Sequence, residues 1–468
     1  MTSFSQSSVG SFSLKQGVCL EKRGPERPLS FIGLQTSKRC TIANIVVIGS
    51  GAMGLSAAFH AIKAGHTVEV LEAAPEPGGM AAHFDLAGLS IERFYHFVCK
   101  SDLPTMELMD ELGIREKLRW RATSMGIYTS GKLHDWGTPV ALLKFSEISV
   151  LSRLRYGMFA FLSVRRNRWD AIETESARSW ITRWCGIEVY DRLWKPLFAL
   201  KFYQYADNVS AAWIWTRVRR IGRSRRSMMQ EELGYIEGGS QTLVDALYSA
   251  ILGGGGRIST KCAAQKVLVE NGRVTSVLTS KGVIQADAII STVPTPLVSA
   301  MVPDLPEDWK ARYDSIINMG VCCLVFKLKR SVSPHFWVNI SEPDISIPGI
   351  IEFSNLRPVG GESVVYVPYY MPGDNAKFGW TDAELLDEAF GYLCRVNPAL
   401  TREDIIAAHV ARLRYAQPVC EPGFAAKLPP VQTPIRGLQI ADTCFYYPED
   451  RGISESVQLG KKMASQIL

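Results

Sequence analysis

The chain has 468 residues, 47% of them hydrophobic and 21% charged, with a formal net charge of +6. That balance excludes an intrinsically disordered chain and a nucleic-acid binder carried by charge alone. It describes a globular protein of more than one domain, and the modest positive excess suits an anionic small molecule or membrane surface. No uninterrupted apolar stretch reaches the roughly 18 residues that span a bilayer, and the 10 cysteines are scattered without a CxxC pair. Neither a zinc site nor a disulfide framework is indicated, so reduced thiols and a cytoplasmic location are the expectation.

Residues 1–41 are rich in Ser, Gly, Lys and Arg and lack periodicity, which predicts a disordered N-terminal extension. Residues 44–48 read as a short buried strand running into Gly49-Ser50-Gly51-Ala52-Met53-Gly54. A helical pattern follows through Leu55, Ala58, Phe59 and Ile62 and stops at Gly65. A second apolar strand, 68–71, ends on Glu72. This is the order of a dinucleotide-binding fingerprint. Gly49 allows the tight turn, Gly51 lets backbone approach a pyrophosphate, and Gly54 lets helix and strand pack closely. The helix N-terminus offers free N–H groups to phosphates, and Glu72 stands where an acid accepts from a ribose hydroxyl.

Further along, the pattern predicts a helix at 103–112 and a hairpin at 123–134 turning at Ser130-Gly131. Residues 139–226 read as mostly helical, rich in aromatics and arginine, and form the natural cap over a substrate. A diglycine, Gly238-Gly239, precedes a helix at 243–252 and strands at 263–269, 273–278 and 286–290. Strands at 321–328, 349–353 and 363–368 suggest another sheet, followed by a helix at 382–394 with Thr381 as N-cap and a strand at 405–414. The chain closes with a strand at 437–442 ending on Asp442, then Gly452 and a helix at 454–467.

The run from Glu72 to Ala81, with Gly78-Gly79 after five intervening residues, resembles the E-x(5)-GG signature of the flavin amine oxidase superfamily. That superfamily includes monoamine oxidases, protoporphyrinogen oxidases, phytoene desaturases and, more distantly, UDP-galactopyranose mutases. The middle phrase from Ala286 to Pro294 and the C-terminal block resemble it too, in the same order. The resemblance implies an α/β fold: a Rossmann-like FAD-binding domain built from the discontinuous segments 42–100, 234–300 and 421–468, with an inserted α+β substrate domain. The insert comprises a largely helical cap region, 101–233, and a sheet with a helix, 301–420. FAD would be held non-covalently by Gly49, Ser50, Gly51, Ala52, Met53, Gly54, Glu72, Ala73, Gly78, Gly79 and Met80. Met80 stands where the family usually has Arg. Val267 would contact the adenine through its backbone and Asp442 the ribityl or phosphate part. Gly452, Ile453 and Ser454 would open the helix whose N-terminus faces the flavin pyrimidine, where a helix dipole favours the anionic reduced state.

The same resemblance aligns Cys322 with the lysine that amine oxidases place near the flavin, so simple amine oxidation is not expected. Arg93, Tyr95 and His96 form an aromatic–histidine cluster where the mutases carry a similar phrase over the flavin. They are the candidate catalytic residues, with His96 as a proton handler near neutral pH; a core histidine is the competing reading. Tyr446 and Tyr447 similarly resemble a sugar-diphosphate-binding phrase, or are packing aromatics. Arg219, Arg223 and Arg226 would share one helix face, either binding phosphate or facing solvent. The basic, aromatic stretch at 151–168 suits peripheral membrane contact or an ordinary cap helix. Cys420 and Cys444 do not fit the spacing of a cysteinyl flavin. The leading expectation is an FAD-dependent oxidoreductase taking a hydride to flavin N5 from a small-molecule substrate, phosphorylated or lipid-linked, with no nucleic-acid partner and no metal. The alternatives are a redox-neutral mutase acting on a nucleotide- or polyprenyl-linked sugar, and a non-catalytic lipid carrier like the Rab GDP-dissociation inhibitors. The intact glycines and Glu72 argue against the carrier.

Overall fold

Ile45, Val46, Val47 and Ile48 are all buried, because both faces of their strand are covered. The Asn44–Ile48 strand pairs in parallel with Thr67–Leu71 on one side and Ala288–Ser291 on the other. Arg257–Ser259 and Leu438–Ile440 complete a five-stranded sheet, every pairing parallel. The structure, a computed structural model, describes residues 42–467; the expected 1–41 extension lies outside the described residues. On one face of this sheet pack the helices Ala52–Lys63, Ser240–Gly253 and Ile453–Gln466. On the other lies a three-stranded antiparallel layer, Ala264–Glu270, Arg273–Thr279 and Gly282–Gln285. The last of these strands has no sequence signal: it is four residues long, its side chains are mostly exposed, and only its partner orders it.

The Ile453–Gln466 helix lies unusually close to Ala52–Lys63. A Cβ on Gly460 would stand 2.3 Å from the Met53 carbonyl oxygen, so the two helices meet backbone to backbone.

A seven-stranded sheet forms the second layer, in the order Ile405–Pro418, Asn318–Leu328, Ser363–Pro372, Gly349–Glu352, Trp337–Ile340, Met125–Thr129, Lys132–Trp136. The hairpin at 125–136 thus joins this sheet through a parallel pairing with Trp337–Ile340. Along Asn318–Leu328 the side chains alternate. Cys322, Leu324 and Phe326 face the Asp382–Val396 helix, whereas Val321, Cys323 and Val325 face the opposite side. Thr381 caps that helix with a reciprocal box: Glu384 N donates to its Oγ1 at 3.3 Å, and Thr381 N donates to the Glu384 carboxylate at 2.8 Å.

The cap is helical, from Pro139–Lys144 through Val150–Arg165, Ala177–Cys185 and Lys195–Phe202 to Ala211–Arg223. The last helix ends one residue before Ser224, and Arg225–Ser227 turns into a strand paired with Gln230–Ile236. Arg226 therefore does not share a helix face with Arg219 and Arg223; edge pairing overrides the helical pattern there. Among the described residues no helix is long and apolar enough to cross a membrane, no group of side chains could hold a metal, and every cysteine is a free thiol.

Replacing Gly460 with Val should force the two helices apart and cost about 2 kcal/mol, the scale of overpacking a tight core contact. Thermal melting checks this; an unchanged midpoint would mean the contact is not tight in solution.

Candidate active site

The carboxyl ends of the parallel strands open on one edge, and there the glycine turn forms. Gly49 adopts φ +99°, and a Cβ on it would collide with Thr292 Oγ1. A Cβ on Gly54 would meet the Gly49 carbonyl oxygen at 1.9 Å, so only glycine closes this turn against the helix. Gly51 differs: it has φ −66° and nothing within 4 Å of its Cβ position. It borders open space. The helix that begins after it has no side-chain cap, which leaves the N–H groups of its first turn for a ligand. Ala52 and Met53 supply that turn. Gly78 (φ +116°) and Gly79 (φ +57°) bring a second loop against Gly51, 3.2 Å from a Gly79 Cβ to the Gly51 Cα.

Glu72 braces the turn. Its Oε2 accepts from Ser50 N at 2.9 Å and from the Ser50 hydroxyl at 2.6 Å, and its Oε1 accepts from Ala74 N at 2.8 Å. Asp442 does the same across the sheet, accepting from Thr295 N at 2.6 Å and Cys444 N at 2.9 Å. Burial pushes its carboxyl above the usual range. Beneath the diglycine loop lies a buried triad. His83 Nε2 stands 3.6 Å from Glu92, and Arg357 donates to Glu92 at 2.9 Å. Burial alone would raise the Glu92 pKa, but His83 and Arg357 outweigh it and hold the carboxylate low. Ser240, at the start of the helix after the middle diglycine, joins this triad through its N–H at 3.1 Å and donates its hydroxyl to Ala81 O at 2.7 Å.

From this cradle one continuous cleft of about 1680 Å³ runs through the molecule. That exceeds the roughly 300–1,000 Å³ of a single small-molecule pocket, leaving room for a dinucleotide and a second molecule. Gly49 to Met53, Glu72, Ala73, Gly78, Gly79, Met80, Asp442, Gly452 and Ile453 all line it. Three expected residues do not, and of these Gly54 packs against the Gly49 carbonyl. Val267 is fully buried in the core beneath the antiparallel layer, and Ala263 and Ala264 line the cleft instead, because only the start of that strand reaches it. Ser454 turns its hydroxyl away from the cleft toward Thr105 N at 3.4 Å, while Ser456 reaches the cleft.

Arg93, Tyr95 and His96 line the middle of the cleft. Tyr95 packs edge-on against Trp337 and Tyr366, with centroids 5.6 and 5.7 Å apart, and burial raises its phenol pKa. His96 leaves Nδ1 without a hydrogen-bond partner, and burial pushes its pKa down to about 4. It is therefore neutral at physiological pH, not a group titrating near 7. Cys322 is not at the cleft; strand alternation puts Cys323 there. Tyr446 lines the cleft and bonds Ser456 at 2.7 Å, whereas Tyr447 packs on Trp169 and Phe424 and bonds Ser210 at 2.8 Å.

Four residues to which the sequence assigns no role also meet here. Arg451 donates to the Tyr370 hydroxyl at 2.8 Å and to Gln417, and Lys201 reaches in from the cap. Lys201, Tyr370 and Gln417 stand in no motif, and Arg451 ends the phrase that holds Tyr446 and Tyr447. The cap arginines turn inward: Arg217 pairs with Asp450 at 2.8 Å, Arg220 with buried Asp102 at 2.6 Å, and Arg223 with the Val164 carbonyl at 3.1 Å.

The family model of flavin-containing amine oxidoreductases matches residues 54–442. The chain belongs to this family. Among its relatives, 15-cis-phytoene desaturase of Solanum lycopersicum is 23% identical over 443 residues, spanning 85% of this chain and 73% of that protein. Zeta-carotene desaturase of Zea mays is 25% identical over 325 residues, 61% of this chain and 55% of that one. A solved structure of reduced UDP-galactopyranose mutase superposes with a TM-score of 0.70 at 17% identity, covering 91% of this chain and 95% of that one; at that identity the likeness is one of fold.

The cradle fits the flavin cofactor of this oxidoreductase family, since the space beside Gly51 is what a Cβ would fill. Gly51→Val should therefore fold and melt like the parent yet purify without flavin, as absorbance near the flavin bands would show. Glu72→Ala should weaken flavin binding by about 1–2 kcal/mol, part of it through the loosened Ser50 contacts.

His96 makes a pH prediction. Its folded pKa is depressed, so as pH falls from about 6.5 toward 4 the unfolded state takes up a proton that the folded state refuses. Stability should fall over that window, and His96→Phe should flatten part of the decline in urea unfolding at pH 4.5 against pH 7.

Proposed function

We propose that the chain is an FAD-dependent oxidoreductase that binds FAD non-covalently and oxidises an apolar, lipid-like small molecule. The observation that carries this reading is the single cleft joining the glycine cradle to an apolar cap. Beyond Tyr95 it is walled by Leu142, Leu193, Leu197 and Phe198. The glycine turn would hold the pyrophosphate, Glu72 the ribose and the Ile453–Gln466 N-terminus the flavin pyrimidine. When bound, FAD supplies the two-electron acceptor for the substrate's hydride. The chain's own part is to exclude water with Tyr95, Trp337 and Tyr370 and to present neutral His96 as hydrogen-bond donor or acceptor beside the substrate. Cys420 and Cys444 do not line the cleft, which supports a flavin without a covalent link. Arg219, Arg223 and Arg226 do not line the cleft, and Arg217 and Arg220, which do, are held by Asp450 and Asp102, so the arginine cluster of the cap does not favour a phosphorylated substrate. The substrates for which the desaturase relatives are named, phytoene and zeta-carotene, agree with an apolar one.

The cleft opens beside the Val150–Arg165 helix. Leu154, Met158 and Phe161 line it and are also exposed, at 58%, 56% and 46%. Arg153, Arg155 and Arg165 flank them. An apolar, basic rim of this kind suits peripheral contact with an anionic membrane, from which a lipid-like substrate would enter.

The protein should purify yellow, release FAD on heating or acid, and have its flavin bleached anaerobically by an apolar polyene but not by a polyamine. A folded, colourless protein that takes up no FAD overturns the reading. His96→Ala should retain FAD while slowing that bleaching about a hundredfold. Co-sedimentation with phosphatidylserine vesicles, lost on Leu154→Glu with Met158→Glu, tests the membrane rim.

A further inference from the structure

Lys201 closes the Lys195–Phe202 helix of the cap and points into the cleft. It is 8% exposed. Its Nζ lies 4.8 Å from the ring centroid of Tyr370, 5.4 Å from Trp213 and 5.9 Å from Phe202. Among the described residues it has no hydrogen-bond or ion-pair partner. Buried lysines are normally paired. Here the neighbouring carboxylate, Asp450, is already bonded to Arg217 at 2.8 Å. Two polar atoms of the groups that face it are buried without partners, Arg217 Nη1 and Asp450 Oδ1. Donors and an acceptor are thus both unspent at one spot of an otherwise apolar cleft, which marks the seat of a polar group belonging to a ligand.

Burial first, and then the like charges of Arg217 and Arg451, hold the Lys201 ammonium well below its ordinary pKa. Desolvation beside cationic groups is how a lysine becomes a nucleophile at neutral pH.

We infer that Lys201 is a nucleophilic amine that captures an aldehyde or ketone group of the cleft's ligand as an imine. The Lys201 nitrogen attacks the carbonyl carbon; the C–N bond forms as the carbonyl π pair moves to oxygen. The two amine protons pass to that oxygen, which leaves as water while the C=N bond forms. No oxidant or reductant is consumed. Asp450 Oδ1 is the free acceptor to carry a proton, and Arg217 Nη1 the free donor for the oxygen. The inference rests on the cleft being the substrate site but not on the identity of its cofactor.

The test uses the full chain with whatever flavin it carries, treated with octanal and sodium cyanoborohydride at pH 7 and mapped by peptide mass spectrometry. Lys201 should acquire the octyl group about tenfold faster or more than Lys195 and Lys461, whose side chains are 66% and 51% exposed. Its labelling rate should also level off at a lower pH than theirs. Lys201→Arg, which keeps the charge but not the nucleophile, should lose that adduct while flavin absorbance and melting midpoint stay put. Labelling of Lys201 no faster than of Lys195 overturns the inference, and that comparison within the unmodified chain decides even if the variant fails to fold. Rapid labelling of Lys201 in a protein that binds no flavin would uphold the inference and reject the FAD reading.

Discussion

Parallel pairing places every strand's carboxyl end on the same edge, and the site depends on that constraint. Crossover connections return each strand to run the same way, so segments far apart in the chain are delivered to one place. The turn after Ile48, the Thr292–Thr295 segment after Ser291 and the Asp442 carboxylate after Ile440 meet there. Thr292 Oγ1 donates back to Ile48 O at 2.8 Å, and Asp442 accepts from Thr295 N at 2.6 Å. The glycine turn can close only because Gly49 and Gly54 lack side chains. The cradle is therefore built by steric exclusion and backbone N–H groups, several of which the Glu72 and Asp442 carboxylates accept from.

Charge instead holds the cap in place. Arg220 reaches from the cap to Asp102, whose carboxylate also accepts from Cys99 N at 2.9 Å. Arg217 reaches to Asp450, in the loop before the last helix. Removing one partner of such a buried pair strands the other, so these arginines fix the cleft wall. Their cluster in the sequence suggests a phosphate site; the fold spends Arg217 and Arg220 on internal carboxylates and turns Arg223 to a backbone carbonyl. Lys201 is left without such a partner, over the rings of Trp213 and Tyr370 in the buried wall of the cleft.

A period of two governs the other wall. A shift of one position on a strand sends a side chain to the opposite face. That is why Cys323 and not Cys322 borders the cleft, and why alignment by apolar pattern alone misplaces the residue: both neighbours are cysteines in an unbroken apolar run. Val267 and Ser454 show the same limit. Each sits in a segment that touches the cleft, but its side chain belongs to the core or to a neighbouring helix.

The sequence by itself determined the glycine cradle of this protein. A strand, a glycine turn, a helix and an acid at fixed offsets are local geometry, set by which residues tolerate positive φ or a missing Cβ, and Gly49, Gly51, Gly54 and Glu72 carried that information within one short stretch. The order of the later blocks fixed the α/β architecture by the same local rules. Only the tertiary structure decided the far wall of the cleft. Lys201, Tyr370, Gln417 and Arg451 come from a cap helix, two sheet strands and a loop, and nothing in their immediate neighbours sets their contacts. Burial decided the rest, holding His96 neutral and pairing the cap arginines, because solvation and charge partners are properties of the folded interior that no local pattern records.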